Sequence, residues 1–169
     1  MPFDLFEKLK NQGIFEGLSV NVQSKTKDVS NLSGILYRND DVNFTIEIPL
    51  NWYGKYIVES TSNNDTDILS FKQKATYEKY GEGSGVLFYI ERNKTGVDGN
   101  IGNQKLLFDD GKYNFIIGLP TDIQYPIWSG RDEEDMMIAA EYEDMAKDID
   151  NIEKSFDTIV KYRRPPLYN

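Results

Sequence analysis

Asn63, Asp65 and Asp67 stand at the first, third and fifth positions of a possible calcium loop, the spacing at which a hard cation gathers clustered oxygen ligands. The pattern then breaks. A calcium hand needs Gly at the sixth position and a bidentate Glu at the twelfth, where this chain has Ile68 and Lys74. The segment therefore reads as an exposed polar turn. A second acidic run, Asp132-Glu133-Glu134-Asp135, could hold a cation or divide acid and base roles if its surroundings forced two pKa values apart. Four consecutive helical residues fan around the axis, however, and their charge suits the positive end of a helix dipole. Asp148, Asp150 and Glu153 form a third group, in which Asp150 and Glu153 share a helix face and read as solvated surface.

The chain contains no His and no Cys. Imidazole is the usual proton shuttle near neutral pH and thiolate the strongest protein nucleophile, so serine triads, cysteine nucleophiles, the common zinc sites and dithiol redox centres are all excluded. Ser84 sits between glycines but lacks a Gly-x-Ser-x-Gly elbow and any imidazole to activate it. Gly81, Gly83 and Gly85 are not followed by the Lys-Ser/Thr of a phosphate loop, and they read as a flexible hairpin. Asn93-Lys94-Thr95 fits a glycosylation acceptor, which matters only in a secreted chain. No metal and no cofactor are expected.

A formal net charge of −9 repels phosphate backbones and anionic headgroups, so nucleic acid and membrane surfaces are poor partners. No apolar stretch approaches the roughly 18 residues of a spanning helix, and the opening Met1-Pro2-Phe3-Asp4 lacks the layout of a signal peptide. The expected compartment is cytoplasmic as written, or extracytoplasmic if an export signal has been removed.

Binding chemistry rests on aromatics, which make up 13% of the residues. Trp52 follows Pro49 where a strand ends, and an indole there is either a core plug or a stacking surface. Tyr53, Tyr56, Tyr125 and Trp128 could join it in an aromatic cleft. The segment 120–130 mixes Ile123, Tyr125, Ile127 and Trp128 with polar neighbours, and such a loop is either a lid on the core or a contact surface. The candidate binding residues are Trp52, Tyr53, Tyr125 and Trp128.

These groups need a scaffold. Leu5, Phe6 and Leu9 at helical spacing predict an opening helix over residues 4–10, followed by a strand at 18–22 and a loop at 24–33. Residues 35–37 and 42–48 read as strands around an Asn39-Asp40-Asp41 turn, with Val42, Phe44, Ile46 and Ile48 on the buried face. Further strands are expected at 56–58 and 68–75, and at 86–90 and 113–117, the last two apolar on both faces and hence covered twice. Residues 105–108 should form a hairpin with the 113–117 strand. Ile138, Tyr142, Met145, Ile149, Ile152, Phe156 and Ile159 lay one stripe along a long helix, capped by Ser129 and Asp132 and ended by Pro165-Pro166, with Asp150 and Ser155 as weak points. Doubly covered strands between terminal helices predict one domain over residues 1–169, an α+β three-layer α/β/α sandwich around a mainly antiparallel sheet.

The order of Phe44-Thr45-Ile46-Glu47-Ile48-Pro49-Leu50-Asn51-Trp52, then Phe71, Leu87-Phe88-Tyr89-Ile90, Pro120-Thr121-Asp122-Ile123-Gln124-Tyr125 and Ile152-Glu153-Lys154-Ser155-Phe156 resembles the Mog1/PsbP-like family, in particular its small Gram-positive bacterial members. The likeness covers residues 34–160. It implies the same α/β/α sandwich and a role as adaptor or assembly factor, in a family whose bacterial members are often exported or lipid-anchored. A non-catalytic protein-binding or accessory module is the leading expectation. A carboxylate-dependent hydrolase acting on a sugar-like substrate, which needs two carboxyls about 5 to 10 Å apart in a cleft, and a small-ligand binding domain are the alternatives.

Overall fold

The computed structural model describes residues 34–94, 102–109 and 111–159, all within the unit Ser33–Asn169. The helix, strand and loop expected over residues 4–33 lie outside the described residues, as does the tail from 161. Strands β1 (Gly34–Asn39) and β2 (Phe44–Pro49) pair antiparallel. Their turn is tied by Asn39, whose Oδ1 accepts from the Val42 N–H at 2.8 Å, while Asn43 takes a φ of 77°. The expected alternation holds, with Val42, Phe44, Ile46 and Ile48 all buried. A two-residue strand, β8 (Asp157–Thr158), completes this first sheet along β2.

The second sheet contains β3 (Tyr56–Ser62), β4 (Thr66–Gln73), β5 (Val86–Lys94), β6 (Gln104–Asp109) and β7 (Tyr113–Gly118), in the order β3-β4-β5-β7-β6. Every pairing among the described residues is antiparallel. The described residues thus form a mixed α/β fold with antiparallel sheets of three and five strands.

Two expectations about helices need correction. The strand expected to run to Ala75 stops at Gln73, and residues Lys74–Tyr80 form helix α1. Lys, Ala and Glu favour a helix there, but its only buried member is Thr76, so no apolar stripe marks it. Gly81–Gly85 is accordingly the link from helix to strand, not a hairpin, and Gly81 closes α1 at a φ of 82° with its N–H on Tyr77 O. The long C-terminal helix is instead two, α2 (Glu133–Ala146) and α3 (Ile149–Lys154), broken at Lys147-Asp148. It ends well before Pro165, because the edge of β2 competes for the chain. The Ser155 hydroxyl accepts from the Glu47 N–H at 2.8 Å, and the Ile159 N–H donates to Asn43 O at 3.0 Å. The cap of α2 is also displaced by one turn, since Asp132 and Asp135 form the capping box rather than Ser129 and Asp132.

The core lies where rings from both sheets meet. Phe71 and Phe88 stack at 4.5 Å, Phe156 stacks on Phe44 at 5.8 Å, and Tyr142, Met145 and Ile152 enter from the helices. Each fully buried side chain of this size contributes about 2 to 3 kcal/mol. Arg92 fastens the first sheet's turn to the second sheet. Its guanidinium donates to Asp41 O, Val42 O and Asp67 Oδ2 and lies over the Tyr113 ring.

Candidate functional site

The segment between β7 and α2 returns to the glycine link before β5. There the Gly85 N–H donates to Gln124 O at 3.0 Å and the Val86 N–H to Gln124 Oε1 at 3.4 Å. Only glycine suits that junction, because Gly85 has a φ of +74° and a Cβ would lie 2.9 Å from Gln73 O. Further along, the Arg131 guanidinium donates to Pro126 O and fixes the turn into α2. Between this segment, α1 and the glycine link lies an open cleft of about 220 Å³.

Three rings line it. Tyr80 and Trp128 meet edge to face at 5.4 Å, and Tyr125 packs beside Tyr142 at 4.9 Å while its hydroxyl donates to Glu143 at 2.8 Å. Trp128 is 49% exposed and Ile123 59%, so both present apolar surface at the cleft. Thr76, Ser84 and Gln124 supply its polar groups.

Charge next to the cleft is already paired. Asp135 is buried although it belongs to the acidic run, and it accepts from the Tyr80 hydroxyl and pairs with Lys79 Nζ at 2.7 Å. Lys79 also reaches Glu134 at 2.7 Å and Asp132 at 3.4 Å. The hydrogen bond from Lys79, then that from Tyr80, hold the Asp135 carboxyl below the usual carboxylate range. Burial, then the hydrogen bond to Asp135, raise the Tyr80 phenol. The run thus caps α2 and clasps it to α1, and no group of carboxylates among the described residues is arranged to hold a metal ion.

Of the sequence candidates, Tyr125 and Trp128 come together in this cleft and the other two do not. Trp52 is wholly buried, with its Nε1 donating to Asp148 Oδ2 at 3.1 Å, so its place among the binding residues is corrected to that of a core plug. Tyr56 packs against it at 6.1 Å. Tyr53 is 41% exposed at the end of the 3-10 turn Leu50–Trp52, away from the cleft lining. The Asn63 turn is local: Asn63 Oδ1 accepts from the N–H groups of Asp65 and Thr66, and Asp67 is bound by Arg92. Sequence reasoning missed Tyr80, because the helix that carries it has no apolar periodicity. An aromatic residue directly before the helix-closing Gly81 was the available signal. Comparison with protein-family models, with curated proteins and with solved structures found no match to this chain.

Proposed function

We propose that this chain is a non-catalytic protein-binding module that docks its partner on the segment between β7 and α2. The observation that carries the reading is Trp128. A half-exposed indole, held against Tyr80 beside the more exposed Ile123, is the kind of anchor from which interfaces draw much of their energy. Leaving such rings in water is unfavourable for an isolated domain, and a partner that covers them recovers the cost.

The alternatives find less support in this cleft. Its lining contains no Asp or Glu, so it lacks the carboxyl pair of a sugar hydrolase. Its volume of about 220 Å³ falls short of the roughly 300 to 1,000 Å³ of pockets that enclose small ligands. We read the architecture as a three-layer sandwich of the Mog1/PsbP-like type. In support, β5 and β7 are buried on both faces, with Phe88 and Ile117 on one and Asn93 and Ile116 on the other, and the motif order resembles that family. An accessory or assembly role accords with that resemblance.

A photoreactive p-benzoylphenylalanine at position 127, which is exposed beside the anchor, should yield a discrete adduct in cells of the natural host. Trp128→Ala should abolish that adduct, and the same probe at exposed position 61 on β3 should not yield it. An adduct pattern shared by both positions, or indifferent to Trp128→Ala, would remove the docking surface.

A further inference from the structure

Resting on that docking reading, we propose that the cleft receives the guanidinium of an arginine side chain presented by the bound protein. The direction of each hydrogen bond decides what the cleft can offer. The Tyr80 hydroxyl donates to Asp135, that of Tyr125 to Glu143, that of Thr76 to Gln73 Oε1 and that of Ser84 to Gly81 O. A hydroxyl has one proton, so all four are committed within the protein and only oxygen lone pairs remain for a guest. The Gln124 carboxamide is partly occupied, with one Nε2 proton on Asp122 O and Oε1 on the Val86 N–H, which leaves one N–H free. The polar groups of the lining are therefore biased towards accepting.

The rings add to that bias. The face of an aromatic ring carries negative quadrupole density and attracts cations, Trp most strongly. The surrounding charge has the same sense. Residues 119–137 include five carboxylates, at Asp122, Asp132, Glu133, Glu134 and Asp135, against one cation, Arg131, whose guanidinium is bound to Pro126 O. The nearby ammonium of Lys79 is held by three carboxylates. An anion would meet few donors here, whereas a cationic donor meets acceptors, the Trp128 face and a favourable field, the Tyr80 face being taken already by Lys79 Nζ at 5.8 Å.

Arginine fits better than lysine. Its planar, weakly hydrated guanidinium stacks on ring faces and forks its donors towards several acceptors at once, while an ammonium is a compact, strongly hydrated point charge. Because Trp128 is half exposed and the cleft is open, such a side chain can enter without displacing the core.

The test uses the full chain labelled with 5-fluorotryptophan, which has two ¹⁹F resonances, and Trp128→Phe identifies the one from Trp128. A capped Gly-Arg-Gly peptide should shift the Trp128 resonance saturably at roughly 10 mM, the range expected of a single anchoring side chain, and leave that of buried Trp52 in place. The lysine counterpart should bind several-fold more weakly. The neutral, isosteric citrulline peptide should produce no shift. Tyr80→Phe, which keeps the ring and deletes the acceptor, should weaken the arginine response severalfold. A citrulline response equal to that of arginine, or no response to arginine, overturns the assignment. A Trp128-dependent adduct from position 127 together with a silent arginine titration removes the cation and leaves the docking surface standing.

Discussion

The Trp52 ring lies 6.1 Å from Tyr56 and 6.2 Å from Phe88 with no surface left in water, whereas half of Trp128 stays solvated. Removing each should therefore do opposite things. Trp52→Ala empties a large core volume and should cost about 4 kcal/mol, read as a fall in the urea midpoint. Trp128→Ala should change stability by about 0.5 kcal/mol or less, the range of surface substitutions, while abolishing the position-127 adduct. Equal losses of stability would show that Trp128 is core. The sequence did not separate the two, since each ring follows a proline by two or three residues, Trp52 where β2 ends and Trp128 within the segment between β7 and α2. What separates them is long-range. The acceptor for the Trp52 indole is Asp148, 96 residues away, and no local pattern reports such a partner. Tyr125 and Trp128 were legible as a pair because one short segment carries both.

Asp148 also shows how much depends on a join between elements. It sits in the break between α2 and α3, and its Oδ2 accepts from both Trp52 Nε1 and Asn51 Nδ2 at 3.1 Å, linking the helices to the turn after β2. Asp148→Ala leaves a buried indole N–H without its acceptor, which should cost about 2 kcal/mol. If that donor is the cause, Trp52→Phe should make the loss at Asp148 smaller by about 1 kcal/mol in a double-mutant cycle on urea midpoints. Strictly additive effects would sink the link. The weak helix former Asp150 marked the neighbourhood of the break, but Met145, Ile149, Ile152 and Phe156 keep helical spacing across it and so read as one helix. Phe156 still reaches the core, but from the turn that follows α3, stacked on Phe44. Strands fared better. A period of two with one buried face admits a single reading for β2, whereas α1 was invisible because its contacts are polar, through Thr76, Lys79 and Tyr80.

Across the whole molecule, the groups that join elements titrate only at the ends of the pH scale. The hydrogen bonds from Lys79 and Tyr80 hold Asp135 below its ordinary value, and those from Lys72 and Tyr77 do the same for Glu59. A carboxyl whose folded pKa is depressed contributes stability that is complete above its unfolded pKa and is lost as pH falls through the folded one. Burial raises the Tyr37, Tyr56 and Tyr142 phenols, and the Asp135 and Glu134 carboxylates raise the Lys79 ammonium. For these groups the sign reverses. Their contribution is complete below the unfolded pKa, near 10 for both kinds of group, and is lost as pH rises through the folded value. With no His, no side chain of ordinary pKa titrates between these limits. The urea midpoint should therefore stay level from about pH 5 to about pH 9, fall below about pH 4 and fall again above about pH 10. Asp135→Asn should lower the plateau and make the acid limb shallower, because the variant no longer has that carboxylate to lose. A midpoint that changes steeply between pH 6 and 7 in the parent chain would place a strongly perturbed group at a join between elements, and the division of labour described for Lys79, Tyr80 and Asp135 would then be wrong.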